Sequence, residues 1–404
     1  MTAVAAGRRS QSRIGLALAG GGPEGAVYEI GALRALDEAL DGLDLNDLFV
    51  AVGVSAGAYV AACLANRLTT AQLCRAIVSR EPGEHPFQPQ MFFSPAVVEL
   101  VRRGATVPKR LIAALHEYWT HPEDLTLIES LLALSRALPV GLFDNDPIRR
   151  YLAEGFAIKG RTDDFRRLGT RLIIVAADLC SARAACFGTP ELDAVPISRA
   201  VQASTAFPGL YPPVEIDGRY YVDGVLLKTM HGSSALDQGA DLLLAVNPIV
   251  PVEVEACGRR GVFEGGSLFD RGLPAVLSQT FRTIIYSRMK LGLDSYRERY
   301  PEADVVLFEP DHRDVTMFTT NIFSFSSRKS VLEHAYRATR HTLLERRTEL
   351  EPVLARHGIR IRHEVLEEER DLWVEVGLRR PPRRRVAERL GSALDRLERV
   401  LDRL

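Results

Sequence analysis

The sequence predicts an α/β protein whose mainly parallel sheet is covered by helices on both faces. Three observations carry this expectation. Short apolar runs at Ile14–Ala19, Phe49–Val52, Arg171–Asp178, Leu242–Asn247 and Val305–Phe308 read as strands buried on both faces. Helical periodicity separates most of these runs, which is the pattern of crossover-connected parallel strands. The first two runs lead straight into glycine-rich turns and then into helical patterns.

The first strand runs into Gly20-Gly21-Gly22-Pro23-Glu24-Gly25. Val27, Ile30, Leu33, Leu36 and Leu40 then recur every three or four residues, which is one face of a helix. Pro23 and Glu24 suit its first turn, where proline needs no amide partner and a carboxylate meets the positive end of the dipole. The second strand leads through Gly53-Val54-Ser55-Ala56-Gly57 into a helix from Ala58 to Leu64, and Leu68–Ser79 is also helical.

Residues 81–140 are rich in proline and aromatics before two amphipathic patterns, Leu111–Trp119 and Leu125–Leu138. They read as a helical insertion, either extra core or a lid or acyl-chain groove. Further on come a helix at Pro147–Phe156 and a hairpin from Val214 to Gly224 that turns at Asp217-Gly218. Met317–Phe325 is apolar without a clear period, and Val331–Leu350 is helical and charged.

The expected organisation is a tail over 1–13, a body over 14–350 and an extension over 351–404. In the extension an acidic run, Glu367, Glu368, Glu369 and Asp371, precedes a basic one around Pro381-Pro382. Val386, Leu390, Leu394, Leu397, Leu401 and Leu404 then form one apolar stripe. This is a separate basic amphipathic helix. It could lie on a membrane or lipid granule, pair with another helix to form a homo-oligomer, or dock on the protein's own body.

A hydrophobic content of 46%, a charged content of 25% and a net charge of -1 are ordinary for a globular chain. That near-zero balance gives no global attraction to nucleic acid. The 5 cysteines form no C-x-x-C pair, so reduced thiols and a cytoplasmic location are expected, with neither metal nor cofactor. The apolar run at 14–19 is too short for a signal peptide or a membrane span, so any membrane contact would be peripheral.

Two turns carry the chemistry. In G-x-S-x-G between strand and helix, the glycines Gly53 and Gly57 allow a sharp reversal that lifts the Ser55 hydroxyl clear of the sheet, at a helix N-terminus. The Gly20–Gly25 turn presents bare backbone amides and is an anion cradle. Its G-G-G-x-x-G formally meets a dinucleotide fingerprint. However, the second strand ends in Gly53-Val54-Ser55 rather than in an acidic ribose partner. The reading adopted is an oxyanion hole built from the amides of Gly21 and Gly22, serving a nucleophile at Ser55. Asp223-Gly224 taken alone marks only a turn.

Taken together, the glycine loop, the Ser55 elbow and Tyr221-Val222-Asp223-Gly224 resemble the patatin-like phospholipase family over roughly residues 14–232. Ser204-Thr205-Ala206-Phe207-Pro208 and Tyr211-Pro212-Pro213-Val214 resemble the family's approach to its aspartate strand. The resemblance implies a Ser–Asp dyad without histidine, in which Asp223 takes the Ser55 proton and an acyl-serine forms on a fatty-acyl ester of a phospholipid, lysophospholipid or related lipid.

Two positions depart from the family. Glu24 stands where the family usually has Arg or Lys, and Val225 follows Asp-Gly where the family has Gly or Ala. Glu24 is expected to face outward or to pair with an arginine. Two rival readings stand beside this one. A Ser–Asp–His α/β-hydrolase would need His231, which reads as a loop or packing residue. A non-catalytic lipid-binding or scaffold protein would keep the fold and use the arginine-rich tail.

Overall fold

The computed structural model describes residues 12–78, 91, 94–95, 140–251, 272–314, 325–368 and 370–378. Its central sheet holds strands β1 (Ile14–Leu18), β2 (Val50–Val54), β3 (Arg171–Asp178), β4 (Arg183–Phe187), β5 (Val214–Ile216), β6 (Arg219–Asp223), β7 (Leu242–Val246) and β8 (Asp304–Phe308). The order across the sheet is β8-β7-β1-β2-β3-β6-β5, with β4 also paired to β3. The run from β8 to β3 is parallel, and β4, β5 and β6 are antiparallel to their neighbours. The principal helices are α1 (Gly22–Ala39), α2 (Ala56–Ala65), α3 (Thr70–Val78), α4 (Asp146–Phe156), α5 (Ile197–Ser204), α6 (Gly272–Arg299), α7 (Phe325–Glu345) and α8 (Arg347–Arg356).

Side-chain alternation divides the strands between two cores. Leu16 and Leu18 of β1, with Leu242, Leu244 and Val246 of β7, enter the larger core, which α1, α2 and α7 also line. Ala17 of β1 and Leu243 and Ala245 of β7 enter the opposite core, against Ile285, Met289 and Tyr296 of α6. β1 and β7 are therefore apolar on both faces, which is why the sequence shows continuous runs there rather than polar alternation. On the larger side α1 lies tightly on α7. A Cβ on Gly31 would overlap the Leu332 carbonyl and lie 2.9 Å from the Ala335 Cβ, so only glycine permits this approach.

The expected β5–β6 hairpin is present. Asp217 and Gly218 adopt φ of +49° and +75°, the paired left-handed conformation of a two-residue turn. The hairpin leaves Asp223 at the end of β6, beside Ala176 of β3. Leu18 at the end of β1 is in register with Gly53, so both glycine turns leave the same carboxyl edge of the sheet. That edge is where ligands collect in open α/β sheets.

The sequence reading set the chain apart from residue 351, but the structure packs it onto the body as far as Val376. Leu354, Ile359, Leu366, Leu372 and Trp373 belong to the larger core, and Arg360–Ile361 pairs antiparallel with Leu40–Asp41. The helices here, His363–Glu367 and Leu372–Glu375, are too short for a hydrophobic period to emerge. Nearly all of the 81–140 insertion, the 317–324 stretch, residues 1–11 of the tail and the stripe from Val386 onward lie outside the described residues.

Candidate active site

Ser55 joins β2 to α2 with φ 53° and ψ −118°, a strained conformation for a non-glycine residue. Its neighbours impose that conformation. A Cβ on Gly53 would meet the Ala58 Cα at 2.5 Å, and a Cβ on Gly57 would overlap the Leu18 carbonyl. The Gly57 amide donates to the Ala19 carbonyl at 3.1 Å, tying the elbow to the end of β1. The Ser55 amide donates to Ser204 Oγ at 2.8 Å, and that hydroxyl donates to the Val175 carbonyl at 2.6 Å. Ser204 is fully buried and fixes the elbow to β3. Ser204 lies in the Ser204–Pro208 segment singled out from sequence, but this relay is not legible there, because its partner Ser55 is 149 positions away in the chain.

The glycine turn leans on the same elbow. The Ala19 amide donates to the Val246 carbonyl (3.1 Å) and the Gly20 amide to the Thr229 carbonyl (3.2 Å). A Cβ on Gly20 would lie 3.3 Å from the Ser55 Cβ, and one on Gly21 would lie 2.6 Å from the Pro248 Cγ. Gly22 has φ +61°, accessible to glycine without strain. Among the described residues the amides of Gly21, Gly22 and Ala56 have no hydrogen-bond partner. These open donors lie beside the start of α1 and beside Ser55, where they can meet developing negative charge.

Asp223 is 1% exposed. Its amide donates to the Ala206 carbonyl at 3.0 Å, and its Oδ1 accepts from the Val225 amide at 2.9 Å. Burial pushes its pKa up to about 7, while hydrogen bonding from the Ser55 hydroxyl and from the Val225 amide pulls the other way. The fold thus brings the serine and aspartate named from sequence close enough for the hydroxyl to act on the carboxyl. A carboxylate with a pKa near neutrality is a far stronger base than an exposed one.

His231 takes a different place. It is buried with φ +47°, and its ring Nε2 donates to the Gly224 carbonyl at 3.3 Å. Burial pushes its pKa down to about 4. Among the described residues it makes no hydrogen bond to Ser55 or Asp223, so it braces the turn that follows the aspartate.

Glu24 is half-buried, and burial pushes its pKa up to about 7. The Arg282 guanidinium of α6 opposes that rise, and Asp314 adds to it. Glu24 does not face outward as one expectation had it: Arg282 acts on it through its field, and Glu24 Oε1 is buried and makes no hydrogen bond among the described residues. Val225 is buried against the turn, with its Cγ2 3.0 Å from where a Gly20 Cβ would stand. The larger residue after Asp-Gly is accommodated because Gly20 has no side chain. Glu29 of α1 is fully buried, and burial raises its pKa well above the carboxylate range despite the nearby Ala19 backbone. Nothing in the sequence singled it out from an exposed helix acid.

This is an α/β protein with a G-x-S-x-G serine, an open glycine turn and a buried aspartate at one sheet edge. The patatin-like phospholipase family model matches residues 16–230, and the chain belongs to that family. No curated protein matches the chain. Among solved structures it is similar to VipD from Legionella pneumophila (14% identity, TM-score 0.35), covering 83% of this chain and 67% of that one. It is also similar to the type III effector ExoU of Pseudomonas aeruginosa (17%, TM-score 0.35; 83% of this chain and 53% of that one). A third is human GIVD cytosolic phospholipase A2 in complex with a fluorophosphonate (14%, TM-score 0.31; 83% and 58%). The chain thus spans about half to two thirds of the length of these proteins, and likeness at this level carries no argument about activity.

Proposed function

We propose that the protein is a lipid acyl hydrolase working through a Ser55–Asp223 dyad. Asp223 accepts the hydroxyl proton as Ser55 Oγ attacks an ester carbonyl. The carbonyl oxygen gains negative charge and is held by the Gly21 and Gly22 amides. Collapse expels the alcohol, which takes a proton back from Asp223, and leaves an acyl-serine. Water, deprotonated by Asp223, then releases the fatty acid and restores Ser55. The observation that carries this reading is the fully enclosed Asp223 carboxyl facing a strained Ser55. Burial lifts its pKa to about 7 and leaves Ser55 as its side-chain partner.

The substrate class is a fatty-acyl ester of phospholipid or lysophospholipid, and family membership supports it. Reaction with a serine-directed fluorophosphonate tests the reading. Stoichiometric labelling at Ser55, absent in Ser55→Ala, is the expected result. An unlabelled wild-type protein, also inert on short-chain esters, would favour the non-catalytic lipid-binding reading, for which the Glu24 carboxylate beside the turn is the supporting observation.

A further inference from the structure

One face of α6 has no role in the chemistry above. Ile285, Met289 and Tyr296 bury one side of this helix in the second core. Leu277, Phe281, Ile284 and Leu291 are 44%, 42%, 50% and 69% exposed. Their spacing places them, with Arg288, along a single stripe. Scattered exposed apolar residues are normal, but four in one register form a contiguous patch of the kind that marks an interaction site.

The charges on this stretch have one sign. Between residues 275 and 293 the charged residues of α6 are Arg282, Arg288 and Lys290, and its first acid is Asp294, beyond Leu291. At the end of the stripe, α6 and the 227–231 segment enclose a recess of about 380 Å³ lined by Met230, Met289 and Leu291, with Lys228 and Arg288 at its edge. The stripe also begins beside the candidate site. The Phe281 ring meets Phe207 edge-on at 5.7 Å, Phe207 follows the Ala206 carbonyl that holds Asp223, and Arg282 acts on Glu24 of the glycine turn.

We propose that this face of α6 docks on an anionic lipid bilayer, which sets the Ser55 site against its substrate. Apolar side chains would enter the boundary between headgroups and acyl chains while Arg288 and Lys228 meet lipid phosphates. Charge complementarity selects this occupant, since a helix stretch whose own charged residues are all cations suits anionic headgroups better than a second copy of the same cationic stretch. No described helix is long and apolar enough to cross a membrane. The inference rests on the acyl-hydrolase reading.

The test uses the full chain carrying Ser55→Ala, so that vesicles stay intact. Binding to phosphatidylcholine vesicles with and without phosphatidylglycerol is measured by co-sedimentation. A variant with Leu277→Ser, Ile284→Ser and Leu291→Ser should bind anionic vesicles at least about tenfold more weakly. Arg288→Gln should weaken binding about fivefold. In the Ser55-containing protein, the same changes should leave hydrolysis of a soluble short-chain ester unaltered. Equal binding by the triple variant and its parent, or no binding by the parent, would overturn the proposal. So would loss of self-association in the triple variant by light scattering, which would assign the face to a second copy. If the parent binds but wild type cleaves no soluble ester, the hydrolase reading fails and the docking surface stands.

Discussion

Replacing Asp223 with Asn should remove activity and at the same time make the protein more stable at alkaline pH. The carboxyl is almost wholly enclosed, and its pKa rises from an ordinary 3.8 to about 7. Because the folded pKa lies above the unfolded one, the folded protein keeps a proton that the unfolded chain has released. The resulting stability is fully present below about pH 4 and is lost as pH rises through about 7. At about 1.4 kcal/mol per tenfold change in proton concentration, the whole loss is roughly 4 kcal/mol. Between pH 5 and pH 8 the wild type should therefore lose roughly 2–3 kcal/mol relative to Asp223→Asn. Asparagine keeps an oxygen for the Val225 amide, so local geometry is preserved. Urea unfolding of both proteins at pH 5, 6.5 and 8 reads this directly. Parallel stability-versus-pH curves would refute the reasoning, since Asp223 would then not be an enclosed carboxyl with a raised pKa.

Three further outcomes follow from the same geometry. Glu24→Gln should raise kcat/KM above pH 7 by roughly threefold to tenfold, because it removes a carboxylate that becomes charged through about pH 7 beside the Gly21 and Gly22 amides. A pH–rate profile unchanged by the substitution would show that Glu24 is not felt at the reacting oxygen. Gly31→Ala should destabilise the fold by about 1–3 kcal/mol, since its methyl would press on the Leu332 carbonyl where α1 lies on α7; the urea midpoint reports this. In wild type, kcat/KM should rise with pH to a midpoint near 7 as Asp223 loses its proton, and a midpoint near 4 would place the base in water.

Much of this site is legible in the sequence because its parts are local. The Ser55 elbow and the Gly20–Gly25 turn each sit between a buried strand and a helix, and sterics there admit little but glycine. The sheet is legible for a related reason, since strands apolar on both faces leave unbroken runs. The features not legible there depend on distant partners. Ser204 supports Ser55 across 149 positions of chain. Arg282 influences Glu24 from α6, and Glu29 differs from an exposed acid only in being covered by other elements. The packing of 351–376 was hidden because Ile361 finds its partner at Leu40 and its helices are too short to show a period. Burial is a property of the assembled molecule, so the raised pKa of Asp223 could be named as a requirement from sequence but not read there.

The most direct test is hydrolysis of a short-chain p-nitrophenyl ester and of a lysophospholipid by wild type, Ser55→Ala, Asp223→Asn and His231→Ala. The dyad account predicts turnover by wild type, its loss by at least about a thousandfold in the first two variants, and its substantial retention in His231→Ala, whose ring only braces the Gly224 carbonyl. Full activity in Asp223→Asn, or loss in His231→Ala with the fold intact, would contradict it.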